Sequence, residues 1–238
     1  MNTVGPVTNS NAAEEYDFLD IKTQTYLRKK CANKYNNKGI INSFFDFINP
    51  FNHCLSYESK PKISPYIFKV IRYLIKEGTR TERIFDIPSN PYVTDGLCQL
   101  IKYNKEVDLS DFDIYTIANA CKQYIREELD GLIPKDISVT LEKNIKKGNP
   151  LKDLEYLPFT LEHEKRILLI HLFTLFKKID ENSYFNGMTL KNIFICSAPS
   201  ILPKIVQKNL RDFIPMTEIL VNIYNLDFRY VPSKLIDN

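Results

Sequence analysis

The stretch DIYTIANACKQYIREELDGLIP, residues 113–134, carries the clearest structural signal in the chain. Its apolar residues recur every three or four positions, which is the spacing of one helix face. They are Ile114, Ile117, Ala118, Cys121 and Ile125. Gly131 and Pro134 follow them and are typical of a helix end. The stretch therefore predicts an amphipathic helix over 111–129 that packs on a core.

A second helix is predicted over 65–76, PYIFKVIRYLIK, which opens on a proline and stops before Gly78. Its apolar face carries Ile67, Val70, Ile71 and Leu74. Residues 161–179 are apolar on most faces, and this pattern is typical of a helix enclosed by others. Together the two stretches indicate a helical bundle built around 161–179.

Shorter helices are predicted over 189–196, 204–213 and 217–225, and the first and last begin with threonine, a favoured N-cap residue. No stretch alternates convincingly between apolar and polar residues as a strand does. The chain has only 7 glycines and no tryptophan. Because tight turns and phosphate-binding loops require glycine, this composition speaks against a β-rich or Gly-loop nucleotide fold. These features predict an all-α fold.

Composition places the chain among soluble globular proteins. Of its 238 residues, 44% are hydrophobic and 26% are charged, and the net charge is +3. This balance is too even for a nucleic-acid arm or a dedicated membrane-surface protein. The cysteines are widely spaced and include no CxxC pair, which favours reduced thiols: Cys31, Cys54, Cys98, Cys121 and Cys196. With no leader-like N-terminal segment and no apolar run long enough to span a bilayer, the sequence predicts a cytoplasmic protein.

The sequence divides into three parts by composition. Residues 1–44 are mostly polar, so we expect an N-terminal extension that is poorly ordered or holds one peripheral helix over 14–31. Residues 45–226 carry the periodic apolar blocks and form the folded domain. Residues 227–238 form a C-terminal tail. Within the domain, the basic stretch KNIKKGNP, residues 143–150, is expected to be a solvated loop.

Familiar catalytic signatures are missing from the sequence. Its three histidines are His53, His163 and His171, and no carboxylate pair stands beside the last two at ligand spacing. Ordinary surface or buried histidines explain them better than a metal site does. No GxSxG, HExxH or P-loop motif occurs. We therefore expect no metal, no cofactor and no catalytic chemistry that this chain performs alone.

A set of basic and amide side chains remains as the candidate site. They are Arg80, Arg83, Lys122, Arg126 and Asn192. Lys122 and Arg126 lie one helical turn apart, and like charges at this spacing cost a few tenths of a kcal/mol unless something offsets them. The helix dipole and Asp130, four residues after Arg126, supply an ordinary structural offset. The pair by itself therefore favours a structural role.

Five blocks, taken in order, resemble the Rho GTPase-activating (RhoGAP) domain, an all-helical module that docks on Rho-family small GTPases. The blocks are FNHCLS (51–56), PYIFKVIRYLIK with GTRTERIFDIPSN (65–90), DIYTIANACKQYIREELDGLIP (113–134), LPFTLEHEKRILLIHL (157–172) and NGMTLKNIFICSAPSIL (186–202). The last resembles the family's Asn-Lys-Met-Thr-x-x-Asn-Leu-x-x-x-Phe-x-Pro-x-Leu. The resemblance covers about 45–226. It implies a RhoGAP-like helical bundle and a Rho-family GTPase as partner.

In this family an arginine finger enters the GTPase site and stabilises the charge that develops during GTP hydrolysis. The finger follows the Ile-Phe of the motif Gly-x-x-Thr-Glu-Gly-Ile-Phe-Arg. Here Ile84 and Phe85 are present, and Asp86 occupies the finger position. A carboxylate there has the wrong sign of charge for the phosphates it would face. Arg83, at the position of the motif's glycine, is the candidate for a displaced finger, with a solvated loop arginine as the alternative.

The resemblance also assigns roles to three supporting residues. It implies that Lys122 contacts the switch surface of the GTPase, that Arg126 braces the finger loop, and that Asn192 hydrogen-bonds near the docking site. The partner would carry GTP and Mg²⁺. One departure concerns Gly131, which stands where the family has a proline that packs on the partner. On this resemblance, the departure is expected to affect affinity or the choice of GTPase.

Two interpretations of function follow. The first is a signalling protein that binds a Rho-family GTPase and regulates its GTP hydrolysis, with activation weak or absent because of Asp86. The alternative is a basic adaptor that contacts anionic membrane surfaces. It would use the cations of the N-terminal segment: Arg28, Lys29, Lys30, Lys34 and Lys38. A solvated polar face explains those charges more simply.

Overall fold

The structure, a computed structural model, describes residues 14–35, 63–208 and 210–236. Helices make up most of these ranges, and the strands described there are only two residues long, which confirms the all-α prediction. The α-helices are α1 (Ile21–Tyr35), α2 (Tyr66–Tyr73), α3 (Pro91–Lys102), α4 (Ile114–Glu128), α5 (Lys135–Lys146), α6 (His163–Asp180), α7 (Ser183–Asn186), α8 (Leu190–Ile201), α9 (Leu210–Tyr224) and α10 (Ser233–Ile236). Strand β1 (Glu14–Glu15) pairs antiparallel with β2 (Tyr230–Val231). None of the described helices has the length and apolar character needed to cross a bilayer.

Helix α6 lies in the core, as its apolar residues on most faces predict. Its fully buried side chains include Leu168, Leu169, Leu175 and Phe176. Phe173 of α6 meets Phe194 of α8 and Tyr224 of α9 edge-on, with ring centroids 6.0 and 5.3 Å apart. Aromatic rings favour this arrangement because a positive ring edge faces a negative ring face. The aromatic contacts hold α8 and α9 against α6.

Helix α4 presents the side chains of the candidate site. Its N-terminus is capped by Asp113, whose Oδ1 accepts a hydrogen bond from the Thr116 backbone N–H at 2.9 Å. Ile117, Cys121 and Ile125 are buried, as the sequence pattern predicts. Lys122 lies beside this buried stripe and is only partly exposed. The core packing of α4 therefore fixes the direction in which Lys122 points.

Several boundaries differ from the sequence predictions. Helix α2 does not stop before Gly78, because a π-helical turn, Leu74–Gly78, continues it. The turn packs closely on the next loop, since a Cβ at residue 78 would lie 2.6 Å from Cδ1 of Ile84. The stretch 143–150 is not wholly a loop, because α5 runs through Lys146. The pattern missed α5 and α3, which were not predicted as helices.

The two predicted C-terminal helices over 204–213 and 217–225 are also corrected. The structure has a short 3-10 segment, Lys204–Gln207, followed by the single helix α9. Residue 209 lies outside the described residues. Pro215 lies within α9, and its buried neighbours Met216 and Leu220 pack on the core. Burial of this face sustains the helix across the proline, whose local preference is against a helix interior.

The N-terminal segment and the C-terminal tail form one small layer. Residues 14–20 hold β1 and a 3-10 turn where a helix from residue 14 was expected, and α1 begins at Ile21. A second apolar cluster joins the two ends of the chain through Tyr16, Leu27, Cys31, Phe159, Val231 and Leu235. The proposed domain boundary near residue 45 lies outside the described residues. Residues 14–35 therefore pack as part of the fold and are not merely appended to it.

A fully buried arginine holds this layer to α6. The Arg166 side chain is 0% exposed and forms an ion pair with Asp17, which lies in the N-terminal segment. Its Nη1 donates a hydrogen bond to the Phe228 carbonyl at 2.7 Å, and its guanidinium lies over the Tyr16 ring, 4.8 Å from the centroid. One side chain thus contacts residues near both ends of the chain.

We expect Asp17→Ala to destabilise the protein more than Arg166→Met does. The first change leaves a buried cation without its carboxylate, whereas the second replaces the cation with an apolar side chain of similar length. Because the Asp17 side chain is 39% exposed, we expect a loss of about 2 kcal/mol, below the 3–5 kcal/mol typical of fully buried pairs. Urea unfolding of the two variants and wild type measures the difference. The reverse order would contradict the role given to this ion pair.

Candidate functional site

The loop after α2 is built on two buried side chains. Ile84 and Phe85 are 0% and 1% exposed, and the Phe85 ring meets Phe176 of α6 edge-on at 5.7 Å. Asp86 is the next residue in the chain, and its side chain is exposed. The core therefore holds the backbone on one side of Asp86, and its carboxylate is presented at the surface.

Arg83 does not point freely into solvent. Its Nε donates a hydrogen bond to Oδ2 of Asp86 at 2.8 Å, and its Nη2 makes an ion pair with the same oxygen. The backbone of Arg83 has φ +49°, in the left-handed region that favours glycine. Arg83 thus keeps the glycine-like turn of the motif while placing its guanidinium on the Asp86 carboxylate.

Asn186 holds this loop from the opposite side. It is fully buried, and its Nδ2 donates to the carbonyls of Thr79 and Ile179, each at 2.7 Å. Its Oδ1 accepts from the Met188 N–H at 2.7 Å, and its own carbonyl accepts from the Arg83 N–H at 2.8 Å. A buried side chain with every polar atom bonded fixes backbone positions tightly. Asn186 was not predicted as a site residue, although it begins the block NGMTLKNIFICSAPSIL.

Lys122 holds the same loop from α4. Its Nζ donates a hydrogen bond to the Phe85 carbonyl at 2.6 Å and lies 5.8 Å from the centroid of the Phe85 ring. Burial lowers the pKa of the Lys122 ammonium, because the charged form loses water. Through this hydrogen bond Lys122 supports Phe85, the residue that precedes Asp86.

Arg126 lies one turn further along α4 and has a different partner. Its Nε donates to Oε1 of Glu127 at 2.8 Å, and Glu127 also pairs with Lys204. The resemblance assigned the bracing of the loop to Arg126, but among the described contacts the loop is bonded by other α4 side chains. Besides Lys122, the Asn119 Nδ2 donates to the Ile87 carbonyl and the Tyr115 hydroxyl donates to the Glu82 carbonyl, each at 3.0 Å. Arg126 remains 41% exposed at its side chain.

The candidate residues line two neighbouring cavities on one face of the protein. The Asp86 cavity, about 480 Å³, is lined by Arg83, Asp86, Asn192 and Cys196 together with Tyr184 and Phe185. The Lys122 cavity, about 240 Å³, is lined by Lys122, Arg126, Asn119 and Cys196. Because Cys196 lines both, the cavities adjoin. Burial and the nearby Asp86 carboxylate raise the pKa of the Cys196 thiol, which favours its neutral form.

Asn192 is exposed in the first turn of α8, where Thr189 caps the helix. Its side chain lines the Asp86 cavity. The structure therefore brings Arg83 and Asn192 together at one cavity and Lys122 and Arg126 at the next. Cys196, Tyr184 and Phe185 belong to the same face and were missed, because a single cysteine or an exposed aromatic pair has no recognisable spacing in sequence.

Gly131 does not occupy the partner-facing position that its comparison with a proline suggested. It is buried with φ +80°, and a Cβ on it would lie 2.7 Å from the Ile201 carbonyl oxygen and 2.8 Å from the Leu202 carbonyl carbon. Its N–H donates to the Ile125 carbonyl at 3.1 Å. A proline fits neither the dihedral angle nor the hydrogen bond. The glycine is thus required by packing inside this chain.

The cations of the N-terminal segment are partly engaged within the fold. Lys30 donates to the Leu235 carbonyl at 3.1 Å, and Lys34 lies over the Tyr156 ring at 5.6 Å. Lys29 is exposed, and Lys38 lies outside the described residues. Contact with anionic membranes stays a prediction, which co-sedimentation with phosphatidylserine vesicles tests.

Comparison with known proteins identifies the module. The sequence model of the RhoGAP domain matches residues 64–205. The chain is 29% identical over 181 residues to Rho GTPase-activating protein gacHH of Dictyostelium discoideum, covering 74% of this chain and 12% of that protein. It is 28% identical over 195 residues to gacY of the same organism, covering 76% and 27%. The chain therefore spans a minor part of the length of these two relatives.

Solved structures support the fold. The crystal structure of human Rho GTPase activating protein 15 superposes with a TM-score of 0.58 at 18% identity, covering 68% of this chain and 82% of that one. At this identity the similarity establishes the arrangement of helices alone. The functional residues have to be assigned from the side chains of this chain.

Proposed function

The chain belongs to the RhoGAP domain family, and on that basis we propose that it binds a Rho-family small GTPase and regulates GTP hydrolysis by that partner. Lys122, Arg126 and Asn192 would contact the GTPase. Stimulation of hydrolysis would be weak or absent because Asp86 stands where the family carries its catalytic arginine. The chain would contribute no cofactor, and the partner would bring GTP and Mg²⁺.

The docking part of the proposal is supported by the shared face of the two cavities. Asn192 lines one cavity, and Lys122 and Arg126 line the other. Arg126 is partly exposed, and a partner carboxylate can compete with Glu127 for its guanidinium. A concave face with a few convergent polar groups is a common form of binding site. This convergence is the single observation that carries the docking proposal.

The weak-activation part is supported by charge. Transferring a phosphoryl group builds negative charge on its oxygens, and a positive group supplied in trans stabilises it. Here Asp86 is negative, and the guanidinium of Arg83 is already paired with it. The two charges cancel locally, so the field offered to a phosphate is close to that of a neutral dipole. Arg83 would serve as a displaced finger only after leaving Asp86.

One experiment tests both parts. Single-turnover GTP hydrolysis by a panel of Rho-family GTPases is measured with and without the protein, beside direct binding of each pair. We expect binding to at least one GTPase with less than about tenfold acceleration, against the 10³–10⁵ that a full arginine finger supplies. We also expect no gain in affinity when GDP and aluminium fluoride replace GTP, because a transition-state analogue is favoured only by groups that stabilise the transition state.

The double variant Lys122→Ala/Arg126→Ala is expected to weaken GTPase binding by about thirtyfold or more, because it removes both cations of the Lys122 cavity. Lys69→Ala/Arg72→Ala removes the same pair of residue types from α2, away from both cavities, and is the matched control. Circular dichroism melts verify that each variant is folded. Equal affinity of the two double variants would contradict the proposed docking face.

A further inference from the structure

Two adjacent aromatic side chains on α7 are exposed to solvent. Tyr184 is 93% exposed and Phe185 is 61% exposed. Their rings meet edge-on with centroids 5.3 Å apart. Folding therefore gains little from these rings, since most of their apolar surface remains in water. Exposed, paired aromatic side chains of this size are typical of surfaces that bind another protein.

The turn that carries the pair is rigid at its base. Asn182 accepts backbone hydrogen bonds from Phe185 and Asn186 at 2.8 and 3.1 Å, and Gly187 ends the turn at φ +67°. The buried side chain of Asn186 bonds this turn to Thr79, at the start of the loop that carries Asp86. Because the backbone of this turn is already held, covering the rings would cost little backbone conformational entropy.

A neighbouring cation limits the motion of the second ring. The Arg80 guanidinium lies over the Phe185 ring, 5.2 Å from its centroid, and its Nε donates to Oδ1 of Asn182 at 3.4 Å. Such a cation–π contact favours one orientation of the ring. The contact therefore favours a fixed position for the Phe185 ring at the rim of the Asp86 cavity.

The position of the pair identifies the surface to which it belongs. Tyr184 and Phe185 line the Asp86 cavity together with Asn192 and Ile195, and Ile195 is itself 53% exposed. Other exposed rings, such as Tyr103 and Phe18, line neither of the two cavities. The apolar rim is thus continuous with the polar groups to which GTPase contact has been assigned.

We propose that Tyr184 and Phe185 are the main apolar contact of this chain with its Rho-family GTPase, packing on the partner beside the Asp86 cavity. The inference rests on the proposed function and assigns the contact that sustains binding where the arginine finger is missing. The rings bury apolar area on an interface whose centre is polar. Since Tyr and Phe are enriched at protein interfaces and Tyr is enriched at hot spots, loss of both rings should raise the dissociation rate.

The test compares GTPase binding by wild type and by Tyr184→Ala/Phe185→Ala, using a Rho-family GTPase that wild type binds. We expect the double variant to bind at least thirtyfold more weakly, mainly through faster dissociation. Tyr184→Phe, which keeps the ring and removes the hydroxyl, should bind within about threefold of wild type. Because the rings are mostly exposed, the melting temperature should change by no more than about 2 °C.

The matched control is Phe18→Ala/Tyr103→Ala, which removes one Phe and one Tyr that are 83% and 64% exposed elsewhere on the fold. It should bind as wild type does. A loss smaller than thirtyfold for the α7 pair, or an equal loss for the control pair, overturns the inference. If that happens while Lys122→Ala/Arg126→Ala still weakens binding by about thirtyfold or more, the proposed function stands without this contact. If wild type binds no Rho-family GTPase, the proposed function fails and the inference fails with it.

Discussion

Replacing Asp86 with arginine is expected to raise the rate of GTP hydrolysis by a bound Rho-family GTPase by about 100-fold or more over wild type. On the proposed function, the change removes a carboxylate of the wrong sign and supplies a cation at the position that the resemblance matches to the family's arginine finger. An arginine supplied in trans is worth on the order of 10³–10⁵ in rate, and imperfect positioning accounts for the lower figure expected here. Single-turnover hydrolysis with saturating Asp86→Arg protein measures the effect.

The backbone at this position is already held for such a side chain. Ile84 and Phe85 are buried, Lys122 bonds the Phe85 carbonyl at 2.6 Å, and Asn186 bonds the Arg83 N–H. None of these contacts involves the Asp86 side chain, so the substitution leaves the supports in place. The effect would then come from the charge at residue 86 and not from a rearranged loop.

Two control variants separate a restored finger from a released one. Asp86→Ala removes the repulsion and frees Arg83 from its ion pair, and Asp86→Ala/Arg83→Ala removes both charges. If Arg83 is a masked finger, the single variant accelerates hydrolysis and the double variant does not. Asp86→Arg combined with Arg83→Ala should keep its full effect. Failure of Asp86→Arg to accelerate hydrolysis despite unchanged binding would show that residue 86 does not face the nucleotide.

Gly131→Ala is expected to lower the free energy of unfolding by about 3 kcal/mol or more, the largest stability effect that we predict. The residue has φ +80°, and its added Cβ would meet three backbone atoms of residues 201–203 at 2.7–3.0 Å. A left-handed conformation costs a residue with a Cβ about 1–2 kcal/mol, and contacts with backbone atoms cannot be relieved by a rotamer change. Urea unfolding of purified variants measures the loss.

Gly148→Ala is the matched control for this prediction. Gly148 has φ +73°, close to the φ of Gly131, and a Cβ there would meet nothing within 4 Å. It therefore reports the dihedral cost alone, roughly 1 kcal/mol. If the two variants lose equal stability, the close approach between residue 131 and α8 is not what requires glycine.

The candidate site shows where the sequence was informative and where it was not. Lys122 and Arg126 were identified by their helical spacing and by the resemblance, and the structure places both at one cavity. The individual contacts of these two residues were not predictable from sequence. The packing of α4 on the core decides which of the two side chains lies nearer Phe85. Asn186, Tyr184 and Phe185 were missed, since only the folded turn shows which of these neighbours is buried and which are exposed.

The sequence by itself determined the all-α class, the core faces of α2, α4 and α6, and the identity of residue 86. These features depend on local periodicity and on residue type, and both are complete in the printed chain. Only the tertiary structure decided that Arg83 pairs with Asp86, that Gly131 packs on α8, and that Asp17 joins Arg166 across 149 positions. Such contacts form between residues that are distant in sequence and that the burial of apolar faces brings together. The spacing of residues along the chain does not indicate which of them will meet.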